Sequence, residues 1–393
     1  MTMNTSTLQR RATALVATLS VTLCALTQPQ RHIRVGVFDG YGGAQTCVWE
    51  ALAACSLDAD MSVRPITTSQ IASGVLDSID VIVVPGGGGT RQYQNLGQQN
   101  AQRIREFVRR GGGAVGICAG AYLFSNTPDY SCLAINGARA IDIEHDNRGH
   151  GLVAFTLTEP GRKVYGEYAH LDTLHCMYYE GPVLVAAPDD TVRYVELATM
   201  HSDVHEEGDA PAGMTNNRPF FIGNRYGKGK VFSSIAHPEA TAGKMWMIAR
   251  MVRWTQSDDD DASLAQLVSQ QRFGPSPELK DPTLADKELL MSQDDLKHES
   301  KLFKQLVYGS ESDKLQALSW LQAHHSWDAK RWLQGMLYDS SPAVRAAAAC
   351  YIADTHYLKY AADLRAAHAV ETDVRARAIM HRSLERLGRL LPH

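Results

Sequence analysis

The five residues Gly-Ile-Cys-Ala-Gly at 116–120 combine a nucleophilic thiol with the small residues that a sharp turn requires. They follow an apolar run at 114–117 and lead into a helix-compatible run at 119–124. A cysteine flanked in this way is typical of a nucleophile elbow, where a buried strand turns abruptly into a helix. Larger side chains at the two glycines would collide with the neighbouring backbone. We expect the amino end of the helix to stabilise a thiolate at Cys118.

A thiol nucleophile needs a base, and the base needs a group that orients it. His237-Pro238-Glu239 follows an apolar run at 231–235. Residues two apart in an extended chain project to the same side, so the imidazole and the carboxylate would lie side by side. We therefore predict a catalytic triad of Cys118, His237 and Glu239. The alternative is that Cys118 is an inert core thiol and His237 an ordinary packed histidine.

Four glycines at 86–89 follow another apolar run, 79–84. A glycine loop after a sheet strand can bring backbone N–H groups against an oxyanion. We predict that Gly87, Gly88 and the N–H of Ala119 form an oxyanion hole. Alone, a glycine run is most often only a flexible connection, and it gains meaning here from the neighbouring elbow.

The apolar runs that would position these groups alternate with helical patterns. Continuous apolar runs indicate strands covered on both faces, and strand–helix alternation predicts a parallel sheet in an α/β fold. We expect strands at 33–38, 79–84, 114–117, 152–157, 182–186 and 231–235, and helices at 46–54, 100–110 and about 242–254.

Residues 31–256 resemble the biotin-protein ligase N-terminal-like domain of the class I glutamine amidotransferase-like superfamily. The resemblance lies in Val-Pro-Gly-Gly at 84–87, Cys-Ala-Gly-Ala-Tyr at 118–122, Tyr-Gly-Lys-Gly-Lys-Val at 226–231 and His-Pro-Glu at 237–239. It implies a flavodoxin-like, doubly wound parallel sheet and the same Cys-His-Glu triad. A shared Tyr-Tyr-x-Gly segment implies that Tyr178, Tyr179 and Glu180 line the cleft with Tyr122, although these residues could equally be strand packing.

Three departures limit what the resemblance implies. Tyr122 stands where true glutaminases of this class usually carry glutamine, which puts glutamine recognition in doubt. Ala119 stands where related proteases and deglycases often carry histidine. The chain has no Gly-Arg-Gly-Arg motif of a biotin ligase catalytic domain, so the resemblance does not extend to ligase activity.

Composition excludes several classes of function. The 39 basic and 43 acidic residues give a net charge of −4, so we expect no nucleic-acid partner. The seven cysteines form no CxxC pair, and the spaced histidines His201 and His205 lie in polar, loop-like sequence. We therefore expect no metal site and no cofactor. A disulfide, for example between Cys132 and Cys176, is an open possibility in an oxidising compartment.

The amino-terminal residues 1–30 resemble a targeting segment. Arg10 and Arg11 precede an apolar stretch at 12–27, and no acidic residue occurs before position 39. This pattern fits a signal peptide or leader, so we predict an exported protein, periplasmic or secreted. An uncleaved segment that anchors the protein to the membrane and a transit peptide are the alternatives.

A second composition shift marks the carboxyl-terminal half. Four aspartates at 258–261, followed by Pro275, Pro277 and Pro282 among polar residues, suggest a linker at 257–295. Residues 296–393 have a helical period. The segments 341–352 and 373–380 share a Val-Arg pair followed by small residues, which predicts a HEAT-like repeat domain that binds a protein partner. A plain helical bundle is the alternative.

Together these features predict an amidase-like or glutamine amidotransferase-like cysteine hydrolase acting on a small amide or acyl substrate. One alternative is a catalytically silent binding module that holds a small carboxylate or amide in the same cleft, with the helical tail recognising proteins. Another is an amidotransferase half that needs an ammonia-accepting enzyme, which we rank lower if the protein is exported.

Overall fold

The computed structural model describes residues 32–257 and 277–391. The described residues from Ile33 onward belong to one compact unit. The predicted leader, 1–30, lies outside the described residues, as does the part of the predicted linker at 258–276. The predicted domain boundaries remain predictions.

Five parallel strands form one half of a ten-stranded sheet. Their order is β2-β1-β3-β4-β11, which is the order of flavodoxin-like sheets. Side chains on these strands alternate between two cores: Val81 and Val83 join one cluster, and Ile82 and Val84 join the other. The strands are β1 Ile33–Phe38, β2 Met61–Ile66, β3 Val81–Val84, β4 Gly113–Ile117 and β11 Gly229–Ser234.

Helices cover both faces of this half, as the sequence predicted. Residues of α1 and α6 share a core with Val81, whereas residues of α3 and α4 share the core with Ile82. The helices predicted at 46–54 and about 242–254 are found with small shifts at their ends, whereas the one predicted at 100–110 begins earlier, at Gly89, with a break at Gly97. The helices of this region are α1 Gln45–Cys55, α2 Thr68–Ala72, α3 Gly89–Arg109, α4 Ala119–Phe124, α5 Glu159–Val164 and α6 Trp246–Thr255.

The prediction of a wholly parallel sheet is wrong for the other half. A turn at Gly227 and Lys228 returns the chain so that β10 pairs antiparallel with β11. Short hairpins produce antiparallel pairs, because parallel strands need a long crossover. The remaining strands continue antiparallel pairing, and a two-stranded sheet lies apart. These strands are β5 Ala138–Ala140, β6 His150–Leu157, β7 Leu174–Tyr179, β8 Leu184–Ala186, β9 Tyr194–Met200, β10 Arg218–Tyr226 and β12 Leu289–Leu290.

The carboxyl-terminal region is helical, as expected. Serines cap the first two helices through reciprocal bonds with an aspartate three residues later. The two helices that carry the Val-Arg pairs, α10 and α12, pack against each other. The HEAT-like interpretation itself remains a prediction. The helices are α7 Gln293–Tyr308, α8 Glu311–Ala323, α9 Lys330–Met336, α10 Pro342–Asp354, α11 Ala361–Val370 and α12 Val374–Gly388.

The described part of the predicted linker joins the sheet. Short 3-10 turns at Pro277–Lys280 and Pro282–Ala285 lead to β12, in which Leu289 pairs with Leu152 of β6. The region that precedes the helices is therefore fixed to the α/β region by backbone hydrogen bonds.

The six cysteines in the described ranges are free thiols. Cys132 and Cys176 do not form the disulfide that the sequence left open, because Cys176 lies in the core beside Thr241 while Cys132 bonds the carbonyl oxygen of Thr127. Among the helices of residues 32–257 and 277–391, none has an apolar stretch long enough to cross a membrane.

A buried ion pair ties the helical region to the α/β region. Lys330 at the start of α9 is 2% exposed and bonds the carboxylate of Glu50 in α1. The Lys330 ammonium also lies 4.2 Å from the centre of the Trp327 ring and 4.5 Å from that of Tyr357. Both charges are removed from water, so each depends on the other for stabilisation.

Lys330→Met should therefore lower the free energy of unfolding by about 3 kcal/mol or more, because it leaves the Glu50 carboxylate buried and unpaired. The double variant Glu50→Leu/Lys330→Met should lose much less, since no isolated charge remains. Urea unfolding followed by tryptophan fluorescence measures both. A loss below about 1 kcal/mol for Lys330→Met would mean that the pair behaves like an exposed one.

Candidate active site

Cys118 occupies the predicted strand-to-helix turn. It lies between β4 and α4 with φ 51° and ψ −108°, a backbone conformation that costs a non-glycine residue about 1–3 kcal/mol. Its N–H donates to the carbonyl oxygen of Ser234 at the end of β11, at 2.8 Å. The surrounding sheet therefore holds the thiol at the carboxyl ends of two adjacent parallel strands.

The two glycines that flank the elbow are required by close backbone contacts, as predicted. A Cβ atom at Gly116 would lie 2.7 Å from the backbone of Gly120. A Cβ atom at Gly120 would lie 2.1 Å from the carbonyl oxygen of Val84 on β3. Neither distance accommodates a methyl group, so the elbow forms only with glycine at both positions.

His237 and Glu239 lie side by side, although not in the extended chain that we predicted. Residues Pro238–Ala240 form a 3-10 turn, and this turn brings His237 Nδ1 to 2.8 Å from Glu239 Oε1. Both residues are almost fully buried. The short turn reaches the predicted pairing by a different backbone path.

His237 also lies beside Cys118, because both side chains face Gly86 and line the same cleft, so the structure brings all three predicted triad residues together. The Cys118 thiol itself donates to the carbonyl oxygen of Tyr179 at 3.5 Å. Burial alone would lower the pKa of His237. Negative charge on Cys118 and on Glu239, together with the hydrogen bond to Glu239, raises this pKa to about 10. The arrangement therefore favours a protonated His237 beside Cys118, and a neighbouring positive charge is what activates a cysteine nucleophile.

The predicted oxyanion donors are not equivalent. The Gly88 N–H donates to the carbonyl oxygen of Gly42 at 2.8 Å, so our assignment of Gly88 is wrong for this conformation. The Gly87 N–H has no acceptor among the described residues. Ala119 is the first residue of α4, where backbone N–H groups lack acceptors within the helix. Both N–H groups are therefore free to donate to an oxyanion. Gly87 and Ala119 both line the cleft at Cys118.

Gly86 allows the histidine to approach the thiol. A Cβ atom at this position would lie 2.7 Å from His237 Cε1 and 3.0 Å from Cys47 Sγ. It would also lie 3.5 Å from Cys118 Cβ. The first residue of the glycine loop therefore acts through the space it leaves empty, a role that the sequence analysis did not assign.

The triad opens into a cleft of about 690 Å³, a volume suited to a small molecule rather than a single ion. Its walls carry both aromatic rings and charges of both signs. The side chains concerned are Arg91, Cys118, Tyr122, Tyr130, Asp146, Tyr179, Glu180, His237, Trp327, Asp328 and Arg331.

The predicted substrate contacts are only partly placed in this cleft. Tyr122, Tyr179 and Glu180 line the cleft. Tyr178 is fully buried and does not line it, so our prediction that Tyr178 lines the cleft is wrong. The Tyr178 hydroxyl accepts from the Arg148 guanidinium at 2.6 Å and donates to the carbonyl oxygen of Gly181 at 2.6 Å. Tyr178 therefore supports the loop that follows β7.

The hydroxyl of Tyr122 is engaged as well. It donates to Asp142, which pairs with Arg148 at 2.6 Å, so only the ring of Tyr122 is available to the cleft. Glu180 has a left-handed backbone, with φ 50°. Burial and the neighbouring Glu207 carboxylate raise the pKa of Glu180 to about 7.

Cys47, His237 and Glu239 form a group whose potential metal-binding atoms lie within 4.8 Å of one another. His237 Nδ1 and Glu239 Oε1 already bond each other, so an ion would compete with the triad. Burial raises the pKa of the Cys47 thiol well above its usual value, which disfavours the thiolate that a metal requires. The donor set thus fits a hydrogen-bonded triad better than a metal centre.

The sequence analysis missed several residues of the cleft. Cys47 lies near the start of α1, and its place in a helical pattern did not mark it as a residue of the cleft. Trp327, Asp328 and Arg331 belong to the helical region, and no local motif marks them as part of a site.

Gly86→Ala should slow alkylation of Cys118 by iodoacetamide at least about tenfold, because moving His237 by a fraction of an ångström away from Cys118 lowers the reaction rate. The added methyl would displace the His237 ring. Gly88→Ala is the matched control, since its Cβ atom would lie 3.5 Å or more from its neighbours and its φ is −103°. Equal rates in the two variants, measured by mass spectrometry of the labelled peptide, would contradict the proposed close approach.

Cys118→Ala should lower the pKa of His237 from about 10, because the variant removes a negative charge that raises it. Nuclear magnetic resonance of the imidazole measures this titration directly. The raised pKa stabilises the native protein fully below pH 6.5, and this stabilisation is lost as the pH rises through about 10. An unchanged His237 titration in the variant would show that the thiol and imidazole are not coupled.

Comparisons with solved structures give weak similarities. The chain resembles the cytoplasmic protein STM3548 from Salmonella typhimurium with a TM-score of 0.37 and 14% identity, covering 57% of this chain and 98% of that one. It resembles the glutaminase domain of Trypanosoma brucei CTPS, solved with bound acivicin, with a TM-score of 0.37 and 12% identity, covering 60% and 94%. These similarities establish no function. No curated protein matches the sequence.

A family model gives the more specific result. The model described as the N-terminal part of biotin-protein ligase matches residues 33–273, more than half of the chain. This span contains the elbow, the glycine loop and the His-Pro-Glu turn, and it agrees with the resemblance that the motifs indicated. The chain belongs to the biotin-protein ligase N-terminal family.

Proposed function

We propose that this protein is a cysteine hydrolase that cleaves an amide or other acyl bond in a small molecule. The observation that carries the proposal is the position of His237, whose ring lies beside Cys118 at Gly86 and bonds the Glu239 carboxylate. A nucleophile, a base and an orienting group in contact are the arrangement that acyl transfer requires.

The first half of the reaction forms a thioester. The Cys118 thiolate attacks the carbonyl carbon, and the carbonyl oxygen becomes an oxyanion that the N–H groups of Gly87 and Ala119 stabilise. The His237 imidazolium then donates its proton to the leaving nitrogen or oxygen. The bond to the leaving group breaks, and the acyl group remains on sulfur.

The second half restores the enzyme. Neutral His237 takes a proton from water, and the resulting hydroxide adds to the thioester carbon. The carbon–sulfur bond breaks, the carboxylic acid leaves, and the thiolate and imidazolium are regenerated. One water molecule is consumed and one acyl bond is cleaved.

Glu239 orients the base. It accepts a hydrogen bond from Nδ1, which leaves the other ring nitrogen for Cys118. Its second oxygen, Oε2, is buried and has no hydrogen-bond partner among the described residues. The charge of Glu239 therefore acts mainly on His237 and stabilises the imidazolium that forms during the cycle.

The alternative is a binding module that uses the same cleft without catalysis. Tyr122 favours it, because this side chain replaces the usual glutamine of glutaminases and commits its hydroxyl to Asp142. The assembled triad favours the hydrolase. Family membership alone does not distinguish the two, and it gives no support for ligation of biotin to proteins.

Cys118→Ala should reduce hydrolysis of reactive small amides and esters at least about 10³-fold, because removing the nucleophile of a triad leaves only residual catalysis. Glu239→Gln should reduce it about 10²-fold, since the imidazolium loses its charged partner. Release of a chromogenic leaving group measures both.

The control is Cys350→Ala, which removes an exposed thiol of α10 and should retain full activity. Iodoacetamide at neutral pH should label Cys118 faster than Cys350, despite the greater exposure of Cys350. If Cys118 shows neither faster labelling nor a role in turnover, the binding-module alternative replaces the hydrolase.

A further inference from the structure

A tryptophan from the helical region forms part of the triad's surroundings. Trp327 lies in the connection between α8 and α9 and is 7% exposed. The centre of its ring lies 4.7 Å from that of His237, in an edge-to-face arrangement, and 6.0 Å from that of Tyr179. The base of the triad therefore contacts a residue beyond position 273, where the family match ends.

The segment that carries Trp327 is held on both sides. Ser326 bonds the buried carboxylate of Glu299, and the Ala329 N–H donates to the Ser326 hydroxyl at 3.1 Å. Lys330 lies over the Trp327 ring and bonds Glu50 of α1. These contacts fix the tryptophan against the α/β region, so we expect its ring to act as a rigid wall.

Access to the sulfur is narrow. Cys118 is 7% exposed and His237 is 2% exposed. The imidazole of His237 packs closely on Gly86, because a Cβ atom there would lie 2.7 Å from His237 Cε1. The imidazole also packs on the Trp327 ring. An acyl group that reaches Cys118 must therefore fit beside the ring of Trp327, which lines the same cleft.

The same segment supplies charged groups to the cleft. Asp328 and Arg331 both line it, and their side chains pair at 3.1 Å. Arg331 is largely exposed, which places this pair toward the solvent side of the cleft rather than at the sulfur. The helical region thus contributes an apolar ring close to the triad and a polar pair farther out.

We propose that the segment 327–331 is a specificity wall, and that its Trp327 ring restricts Cys118 to slender, unbranched acyl groups. This inference rests on the proposed function, because it names the substrate class of the same nucleophile. The helical region is then a part of the active site in addition to any role in binding a partner. Trp327 determines which groups enter and takes no part in bond making.

A pair of electrophiles that differ only in bulk tests the wall. Iodoacetamide and N-tert-butyl iodoacetamide react at the same carbon with the same leaving group, and glutathione gives their intrinsic rates. The native protein should favour iodoacetamide at Cys118 relative to glutathione. Trp327→Ala should reduce this preference at least about tenfold, the effect expected when a pocket gains the volume of a large group. Trp327→Phe should give an intermediate value.

Trp320→Ala is the matched control. Trp320 belongs to the same helical region but packs on His298 and His324, away from the cleft, so its loss should leave the preference unchanged. Circular dichroism of each variant checks that the fold is retained.

The two proposals fail in different ways. At pH 9 thiols react without activation, so the size preference at Cys118 is measured whether or not the triad is active. An unchanged preference in Trp327→Ala, or an equal loss in Trp320→Ala, overturns the specificity wall. Slow labelling of Cys118 at neutral pH overturns the hydrolase alone.

Discussion

The active site depends on the close approach of backbones at the carboxyl ends of adjacent parallel strands. Gly116 and Gly120 let the elbow pack against β3, and Gly86 lets His237 reach the thiol. None of these contacts leaves room for a methyl group, so steric exclusion helps to position the site together with its hydrogen bonds. The strained backbone at Cys118 persists because the packing of the neighbouring strands and glycines determines its conformation.

Charge burial is the second constraint. His237 and Glu239 are removed from water together, and the contacts of the imidazole with Cys118 and Glu239 raise the pKa of His237. A separate buried ion pair joins Lys330 of the helical region to Glu50 of the α/β region. Such pairs are costly to separate, so the helical region and the α/β region stabilise each other where the chemistry would occur.

The helical region consequently has a different meaning from the one its sequence pattern suggested. A Val-Arg repeat predicts a surface for binding proteins, and that prediction stands untested. Its connection at Trp327 nevertheless reaches the histidine of the triad. The family match covers Cys118 and His237, whereas residues outside that match complete the walls of the cleft.

From the sequence alone the elbow, the pairing of His237 with Glu239 and four strands of the parallel half could be predicted, because each depends on neighbouring residues whose sizes and periods are visible in a short window. The fifth strand, β2, was not predicted, since most of its side chains are partly or fully exposed and form no continuous apolar run. Tertiary structure alone decided the rest. The hydroxyl contacts of Tyr178, the occupied N–H of Gly88 and the antiparallel half follow from which segments pair. Trp327 and the Lys330–Glu50 pair join residues from distant parts of the chain, the latter two separated by 280 positions in the sequence. No local sequence pattern indicates contacts that form only when the chain is packed.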